Sequence, residues 1–422
     1  MRRAIVIWLV LFAAYAATMP LSSAPGNRYS SGEARVLLTT KSIVDDGDID
    51  LRNQFRERQW RQFTSRPLHP RAETVTGGRL LEPLSVGFPA ALAPAYALAG
   101  PHGVELFLAG LLALAVVLGI ALARRLVDDP WATSVVVVLG LSPPMLASAT
   151  TVAPEGMVAA LLAGAAILAL RIREETRLVW ATWCATFLAL LPWIGLRFVV
   201  PGAVIAVLLA RWLRRRRRGL AGFVALELIF VSVVVYLTIH DRLYGGITPD
   251  AVLPSGVTGT GADSFTEYVH RLIRPLDLWL GAGGLLWWAP ATVLAGCGVW
   301  RLYRSRRERL WKLVPEQVNL DVTAAMYLSV VLAGAAAACL LVPAITGVWF
   351  PAHDVVPVFA FGAALAAWGA ARFRRVAIGL LALTLVAGVW FLAGGLLGDG
   401  ASLHPAHGPL LPWGGLTDRL PG

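Results

Sequence analysis

The chain has 422 residues, of which 57% are hydrophobic and 15% charged. This composition excludes an ordinary soluble globular domain and predicts a multi-pass membrane protein. The net charge of +11 does not indicate nucleic-acid binding, because the arginines lie in short runs directly after apolar segments, where the positive-inside rule places them. The partner that this charge predicts is the lipid bilayer with its anionic headgroups.

The first apolar segment, residues 4–20, follows Arg2 and Arg3 and is predicted to run from the cytoplasmic side outward. A cleaved signal peptide would have a similar charged start and short apolar core. The best small-residue cleavage site, residues 22–24, is followed by Pro25, which disfavours cleavage. We therefore expect a membrane helix with a cytoplasmic N-terminus.

A polar stretch, residues 21–83, then separates this helix from an almost wholly apolar remainder. So long a connection in a membrane protein is usually functional or disordered, and we interpret it as an external loop of juxtamembrane helices. Ser30 or Ser31 is a suitable N-cap for a helix ending at Gly47, with apolar residues at the spacing of a helix on the membrane surface. Glu33 falls in its first turn, either as a general base or as a plain capping residue.

An acidic cluster follows this helix, and it consists of Asp45, Asp46, Asp48 and Asp50. Carboxylate oxygens at this density could hold a divalent metal, which makes these residues weak metal-site candidates. The alternative is a solvated turn around Gly47. No metal ligands are predicted elsewhere.

The basic runs orient the later segments. Residues 84–100 follow Pro83 and contain Pro89 and Pro94, and they are predicted to re-enter the membrane or lie at its interface, because a crossing there would turn every later basic run outward. The sequence thus predicts an all-α polytopic membrane bundle of about eleven transmembrane helices in one domain, residues 1–397, with an external tail, residues 398–422. After residues 4–20, the predicted crossings are 103–123, 131–150, 156–170, 178–196, 199–213, 220–239, 283–303, 322–344, 355–371 and 376–397.

Several stretches resemble one known superfamily: "YSSGEARVLLTTKSIVDDGDIDL", "EPLSVGFPAALAPAYALAG", "GVELFLAGLLALAVVLGIALARRL" and "LSPPMLASATTVAPEG". Together they look like the N-terminal half of the glycosyltransferase-C superfamily. The likeness is to its protein O-mannosyltransferase and lipid A aminoarabinose transferase branch, which includes actinobacterial members. In that branch an acidic pair opens the first external helix and another acid follows a proline on the next external turn.

The resemblance implies a set of site residues. Glu33 matches the second acid of the pair and would be catalytic, whereas Gly32 stands where the family has its first acid. Glu155 in "APE" matches the later acid, although a plain first-turn acid would look the same. Arg197 and His353 match positions that are often basic and would bind substrate.

The activity implied is transfer of a sugar from a polyprenyl-phosphate donor to a glycan, lipid or protein acceptor at the extracytoplasmic face of the cell membrane, with inversion. The lipid-linked donor is the only cofactor-like molecule implied. Arg35 or Arg197 would stabilise the departing phosphate, but a headgroup contact for Arg35 and an interfacial anchor for Arg197 are equally good interpretations. Two alternatives stay open: a non-catalytic scaffold of envelope glycan assembly, which would explain Gly32, and a lipid-linked glycan transporter.

Overall fold

The computed structural model describes residues 2–21, 27–72, 78–175, 177–215, 219–254, 265–280, 284–308, 315–342 and 351–397. The regular elements within these ranges are all helices, which confirms the all-α polytopic fold class. The external tail predicted for residues 398–422 lies outside the described residues.

Sixteen α-helices are labelled here in chain order, and five short 3-10 segments join them. The α-helices are Arg2–Ala16 (α1), Ser31–Asp45 (α2), Arg52–Arg56 (α3), Gly87–Ala123 (α4), Trp131–Gly140 (α5), Pro143–Ala149 (α6), Glu155–Glu174 (α7), Leu178–Ile194 (α8), Val199–Arg215 (α9), Gly219–Tyr244 (α10), Phe265–Leu280 (α11), Leu285–Trp288 (α12), Val293–Glu308 (α13), Pro315–Leu341 (α14), Phe359–Ala370 (α15) and Arg374–Leu397 (α16). The 3-10 segments are Gln59–Gln62, Leu196–Phe198, Pro249–Val252, Pro290–Thr292 and Pro351–Val358.

Within the described residues, seven helices are long and apolar enough to span a membrane, or nine if each of two bent pairs is one span. The first pair is α5 with α6, bent by 58° where Pro143 and Pro144 interrupt the helix. The second, Phe265–Trp288 with Pro290–Ser305, is bent by 111°. The shorter helices α1 and α8, of 15 and 17 residues, lie on two further predicted segments, so each of the eleven predicted crossings falls on helical residues. That all eleven cross the membrane stays a prediction.

Helix α4 is broken inside. Ala99 and Gly100 leave the helical conformation, and the φ of +59° at Gly100 suits glycine. The first limb is about 18 Å long and the second about 35 Å, at 1.5 Å per residue. Only the second is long enough for a hydrocarbon core of about 30 Å. The break lies where the sequence predicted the end of the re-entrant segment; that the first limb does not cross stays a prediction.

Helices α13 and α15 approach each other closely at two glycines. A side chain at Gly298 would meet the Leu365 carbonyl oxygen at 2.3 Å, and one at Gly369 would meet that of Leu294 at 2.1 Å. Lipid tails are as apolar as leucine, so membrane helices gain by backbone approach and van der Waals contact rather than by hydrophobic burial. These two glycines permit that approach.

Helix α1 is held in the bundle by two side-chain hydrogen bonds. The Trp8 indole N–H donates to the Gly110 carbonyl at 3.0 Å, and the Tyr15 hydroxyl donates to the Gly140 carbonyl at 2.7 Å. Tyr15 is fully buried. The first apolar segment is therefore packed as a member of the bundle, against α4 and α5.

Residues 27–72 and 78–86 form a layer that contains α2 and packs against α4. We call the end of the bundle that carries this layer the loop end. Helix α2 lies in this layer and begins and ends as the sequence predicted, with Ser30 as N-cap and Gly47 in a left-handed conformation after its last turn. One expectation changes: residues 33–40 are buried on every face of α2. The helix is thus enclosed by protein, against α4, rather than laid on a membrane surface by one apolar face.

Candidate active site

Glu33 lies at the start of α2 and is buried. Its Oε2 accepts the Ser30 amide at 2.8 Å, and the Ser30 Oγ accepts the Glu33 amide at 3.3 Å, which together form a capping box. Its Oε1 accepts the Val152 amide at 2.8 Å. The carboxylate thus caps its own helix and also fixes α2 to the turn that leads into α7.

Gly32, where the family has its first acid, has room for a side chain. A Cβ built there meets only the Ser30 Oγ, at 3.9 Å, which is ordinary contact. Its backbone is that of an α-helix interior, so no left-handed conformation demands glycine. The departure from the family pattern is therefore not imposed by the backbone.

Arg35 forms a buried ion pair with Glu82, which precedes α4. The Arg35 Nη1 lies 2.7 Å from the Glu82 Oε1, and both side chains are less than 10% exposed. Burial lowers the pKa of Arg35 and raises that of Glu82, because loss of hydration outweighs their mutual attraction. The pair joins α2 to the loop before α4. The phosphate-binding role predicted for Arg35 stays a prediction.

Four ionisable side chains meet at the neighbouring turns. Arg197, between α8 and α9, bonds Glu155 at the start of α7 and lies 2.5 Å from the Asp354 Oδ1. His353 Nε2 lies 3.5 Å from the Glu155 Oε1 and 3.8 Å from the Asp354 Oδ1. We call these four residues the Arg197 cluster. The structure thus brings together three residues predicted separately from sequence.

The basic and acidic members of the Arg197 cluster differ in exposure. The side chains of Arg197 and His353 are 23% and 24% exposed, whereas those of Glu155 and Asp354 are 3% and 2% exposed. The cations therefore form the accessible rim and the carboxylates lie behind them. The Glu155 Oε2 is buried and has no hydrogen-bond partner.

Glu155 is also tied to Glu33 through the chain. The Val152 amide that donates to Glu33 lies three residues before Glu155, in the same turn between α6 and α7. The two acids predicted from sequence therefore belong to one end of the bundle and to adjoining segments.

Three members of the Arg197 cluster have the side-chain types that ligate metal ions. Among the described residues, Glu155, His353 and Asp354 are the group whose ligand atoms lie near enough, all within 4.8 Å of one another. A dication there would compete with the Arg197 guanidinium, which already bonds two of the three residues. The Arg197 guanidinium thus already lies between the two carboxylates that a dication would bridge.

The four aspartates proposed as weak metal candidates each accept hydrogen bonds, and their metal binding stays a prediction. Asp45 pairs with Lys41, Asp46 accepts from Asn53 and Gln54, and Asp48 accepts the Asp50 amide. Burial favours a higher pKa for Asp50, but donors on Arg52 and the Leu80 amide bring its pKa below the usual value. These contacts are those of a capped turn around Gly47.

An apolar cavity of about 140 Å³ lies next to the Arg197 cluster. It is bounded by the α5–α6 bend, α11, α12, α13, α14 and α15, and Val355 and Val356 in its wall directly follow Asp354. Ser142 and Thr292 are the polar residues in its lining. An apolar chain could lie there beside a charged head at the cluster.

Sequence reasoning missed three members of this region. Asp354 is adjacent to His353 and could have been found from the "HD" pair. Glu82 has no local signal. Glu105 also has none, although in the fold it accepts from the Arg28 guanidinium at 2.8 Å and from the Tyr29 hydroxyl at 2.6 Å, just before the α2 N-cap.

No protein-family model matches the sequence, and no curated protein matches it. Solved structures similar to the chain include ArnT from Cupriavidus metallidurans bound to undecaprenyl phosphate, at 15% identity and a TM-score of 0.53 over 94% of this chain and 64% of that one. Apo ArnT matches at 16% identity and a TM-score of 0.52, over 93% and 65%. The chain thus spans just under two thirds of ArnT. ArnT is the lipid A aminoarabinose transferase of the glycosyltransferase-C superfamily, so the predicted fold is confirmed.

Proposed function

We propose that this protein is a membrane-embedded glycosyltransferase that moves a sugar from a polyprenyl-phosphate donor to an acceptor, and that its site is the loop end. The observation that carries the proposal is the Arg197 cluster. Two cationic side chains form its accessible rim while its carboxylates are buried. Such a rim suits an anionic headgroup, and ArnT, which has a similar fold, was solved with undecaprenyl phosphate bound.

The donor phosphate would lie against Arg197 and His353. A guanidinium presents paired N–H donors that match two phosphate oxygens, and a phosphate could replace one carboxylate partner of Arg197. His353 would add a second donor from the rim. The start of the lipid tail would lie in the apolar cavity behind Val355 and Val356.

The transfer step needs a base for the acceptor. Glu33 is the proposed base: it takes the proton of the acceptor hydroxyl as that oxygen bonds the anomeric carbon, the bond from that carbon to the phosphate oxygen breaks, and the phosphate leaves with the electron pair. Attack opposite the leaving group inverts the anomeric centre. Glu155 is the alternative base, because its Oε2 has no hydrogen-bond partner.

A non-catalytic scaffold is the second candidate, and one observation favours it. Both Glu33 oxygens accept backbone amides, which stabilise the carboxylate and weaken it as a base. With Gly32 in place of the family's first acid, the loop end could have kept its architecture and lost its chemistry.

Turnover by the purified protein tests the proposal. In proteoliposomes with labelled polyprenyl-phosphate sugars and a panel of acceptors, we expect release of polyprenyl phosphate. In Arg197→Lys the rate of release should fall on the order of 10² to 10³. The matched control is Arg173→Lys, at the other end of α7, where Arg173 bonds Thr323 at 3.3 Å. Donor binding without turnover for every sugar would favour the scaffold, and absence of binding would refute both.

The proposal places the loop end and the C-terminus outside the cytoplasmic membrane, as the basic runs predict. Single cysteines at Ser65, in the loop-end layer, and at Ser402 should react with an impermeant reagent in intact cells. Protection of both would reverse the topology and remove the site from the proposed compartment.

A further inference from the structure

Helix α11 is amphipathic, but its apolar face is exposed and its charged face is buried, which is the reverse of a helix at a protein–water surface. Five large apolar side chains are exposed along one face at helical spacing, and Leu272 is 65% exposed. They are Phe265, Val269, Leu272, Leu276 and Leu280. We call this face the α11 stripe.

The opposite face of α11 is charged and turned into the bundle. Arg271 is fully buried, and its Nη1 donates to the Leu340 carbonyl at 2.7 Å. The Arg274 Nη1 donates to the Cys339 and Val342 carbonyls at 3.3 Å and 2.6 Å. Cys339 and Leu340 are in the last turn of α14, where helix carbonyls lack partners within their own helix, and Val342 directly follows the helix.

Those bonds fix the depth of α11. Helix α14 is one of the helices long and apolar enough to span the membrane, so its last turn lies near a membrane boundary. Helix α11 is attached to that turn. Its 16 residues give about 24 Å, which is short of the hydrocarbon core of about 30 Å, and they include Glu267, Arg271 and Arg274.

We infer that α11 is an in-plane helix at the membrane surface, with the α11 stripe inserted among the lipid acyl chains of the adjoining leaflet. Lipid is the occupant that fits, because candidate spanning helices of the bundle also expose large apolar side chains, such as Leu226 on α10 and Ile378 on α16. On the other face of α11, Arg271 and Arg274 are bound by protein. Guanidinium groups that cap α14 let the helix turn its apolar face outward, away from its own bundle. The inference does not depend on the proposed transferase activity.

Nitroxide accessibility tests the inference in proteoliposomes. Single cysteines at Leu272 and Leu276 are spin-labelled in full-length protein whose three native cysteines, Cys184, Cys297 and Cys339, are replaced by alanine. We expect collision with oxygen to exceed collision with a water-soluble nickel chelate at both positions. Leu226, 69% exposed on the spanning helix α10, is the lipid control, and Arg56, 79% exposed on α3, is the water control.

Two outcomes would overturn the inference. Labels at Leu272 and Leu276 that collide with the nickel chelate as often as a label at Arg56 would place the stripe in water. Labels immobilised and reached by neither reagent would show that protein covers the stripe, either a second copy or another segment of the chain. Unchanged helicity and elution of each labelled variant exclude misfolding as the cause.

Discussion

Two arginines at the loop end are paired with carboxylates in different ways. Arg35 has one acid, Glu82, and the two side chains enclose each other. Arg197 has two acids, and its own side chain and that of His353 remain about a quarter exposed. A fully buried ion pair such as Arg35 with Glu82 holds two segments together. A partly exposed arginine that has two carboxylate partners, such as Arg197, can exchange one of them for a ligand.

The largest expected effect concerns Glu33, which belongs to both regions: it lies two residues before Arg35 on α2 and bonds the turn of Glu155. If it is the base, Glu33→Gln should lower turnover by a factor on the order of 10² to 10⁴. Ser30→Ala is the control, since it removes the other half of the capping box and costs about 1 kcal/mol of stability without touching the carboxylate. Gly32→Asp, which fits sterically, should raise turnover only if the present site is degenerate.

Equal turnover of Glu33→Gln and the wild type would assign Glu33 to the cap alone. The base would then be sought at Glu155, by the same assay on Glu155→Gln.

The two arginines themselves give the next effect. Arg197→Lys keeps the charge and loses the paired donors, so turnover should fall on the order of 10² to 10³, the usual worth of a donor that stabilises developing charge. Arg35→Lys should change turnover far less. Similar losses in both variants would show that Arg35 also contacts the donor and would remove the distinction drawn between them.

The free energy of unfolding should distinguish loss of one partner of the Arg35–Glu82 ion pair from loss of both. Glu82→Leu leaves the Arg35 charge buried without its partner and should lower the free energy of unfolding by about 3 to 5 kcal/mol. The double change Arg35→Met and Glu82→Leu should restore most of that loss, because a well-packed apolar pair is often as stable as a buried ion pair. Denaturation in detergent measures both. A double variant as unstable as the single one would mean that the pair contributes more than its burial costs.

The smallest effect is on pH dependence. Burial raises the pKa of Glu82 in the folded state, so the folded protein holds this proton more tightly than the unfolded chain. The contribution of Glu82 to the free energy of unfolding is therefore least favourable above its folded pKa. It improves as the pH falls through that pKa toward 4.5, the ordinary pKa of a glutamate. The stability difference between wild type and Glu82→Gln should shift in favour of the wild type over that window. A shift in the other direction would mean that attraction to Arg35 outweighs burial.

Local signals were sufficient for the strongly apolar helices, whereas no prediction covered α11. Runs of apolar residues located the spans, and Ser30 and Gly47 gave the ends of α2 almost to the residue. The bend at Pro143 could have been read from the proline pair. What no local pattern contains is pairing over distance: Arg35 with Glu82, 47 residues on, and Arg197 with Asp354, 157 residues on, exist only once the helices have packed.

The same reason explains why α2 was placed on the membrane surface. Its apolar spacing is that of an amphipathic helix, but Arg35, Thr39 and Thr40 are also buried. Arg35 is satisfied by Glu82, and the two threonine hydroxyls donate to carbonyls one turn earlier. Polar side chains with partners can face protein, and a hydropathy pattern counts them as facing water.

The anchoring of α1 sets an order of events during synthesis. Trp8 and Tyr15 are made first, but the carbonyls they bond belong to residues 102 and 125 positions later. At ribosomal rates of about 5 to 20 residues per second, those partners arrive on the order of 5 to 25 s after the helix that needs them. During that interval α1 has neither of these bonds, and the Tyr15 hydroxyl has not yet met the Gly140 carbonyl to which it donates. Helix α1 is therefore the first helix to be made, and it can dock only after α4 and α5 have been synthesised.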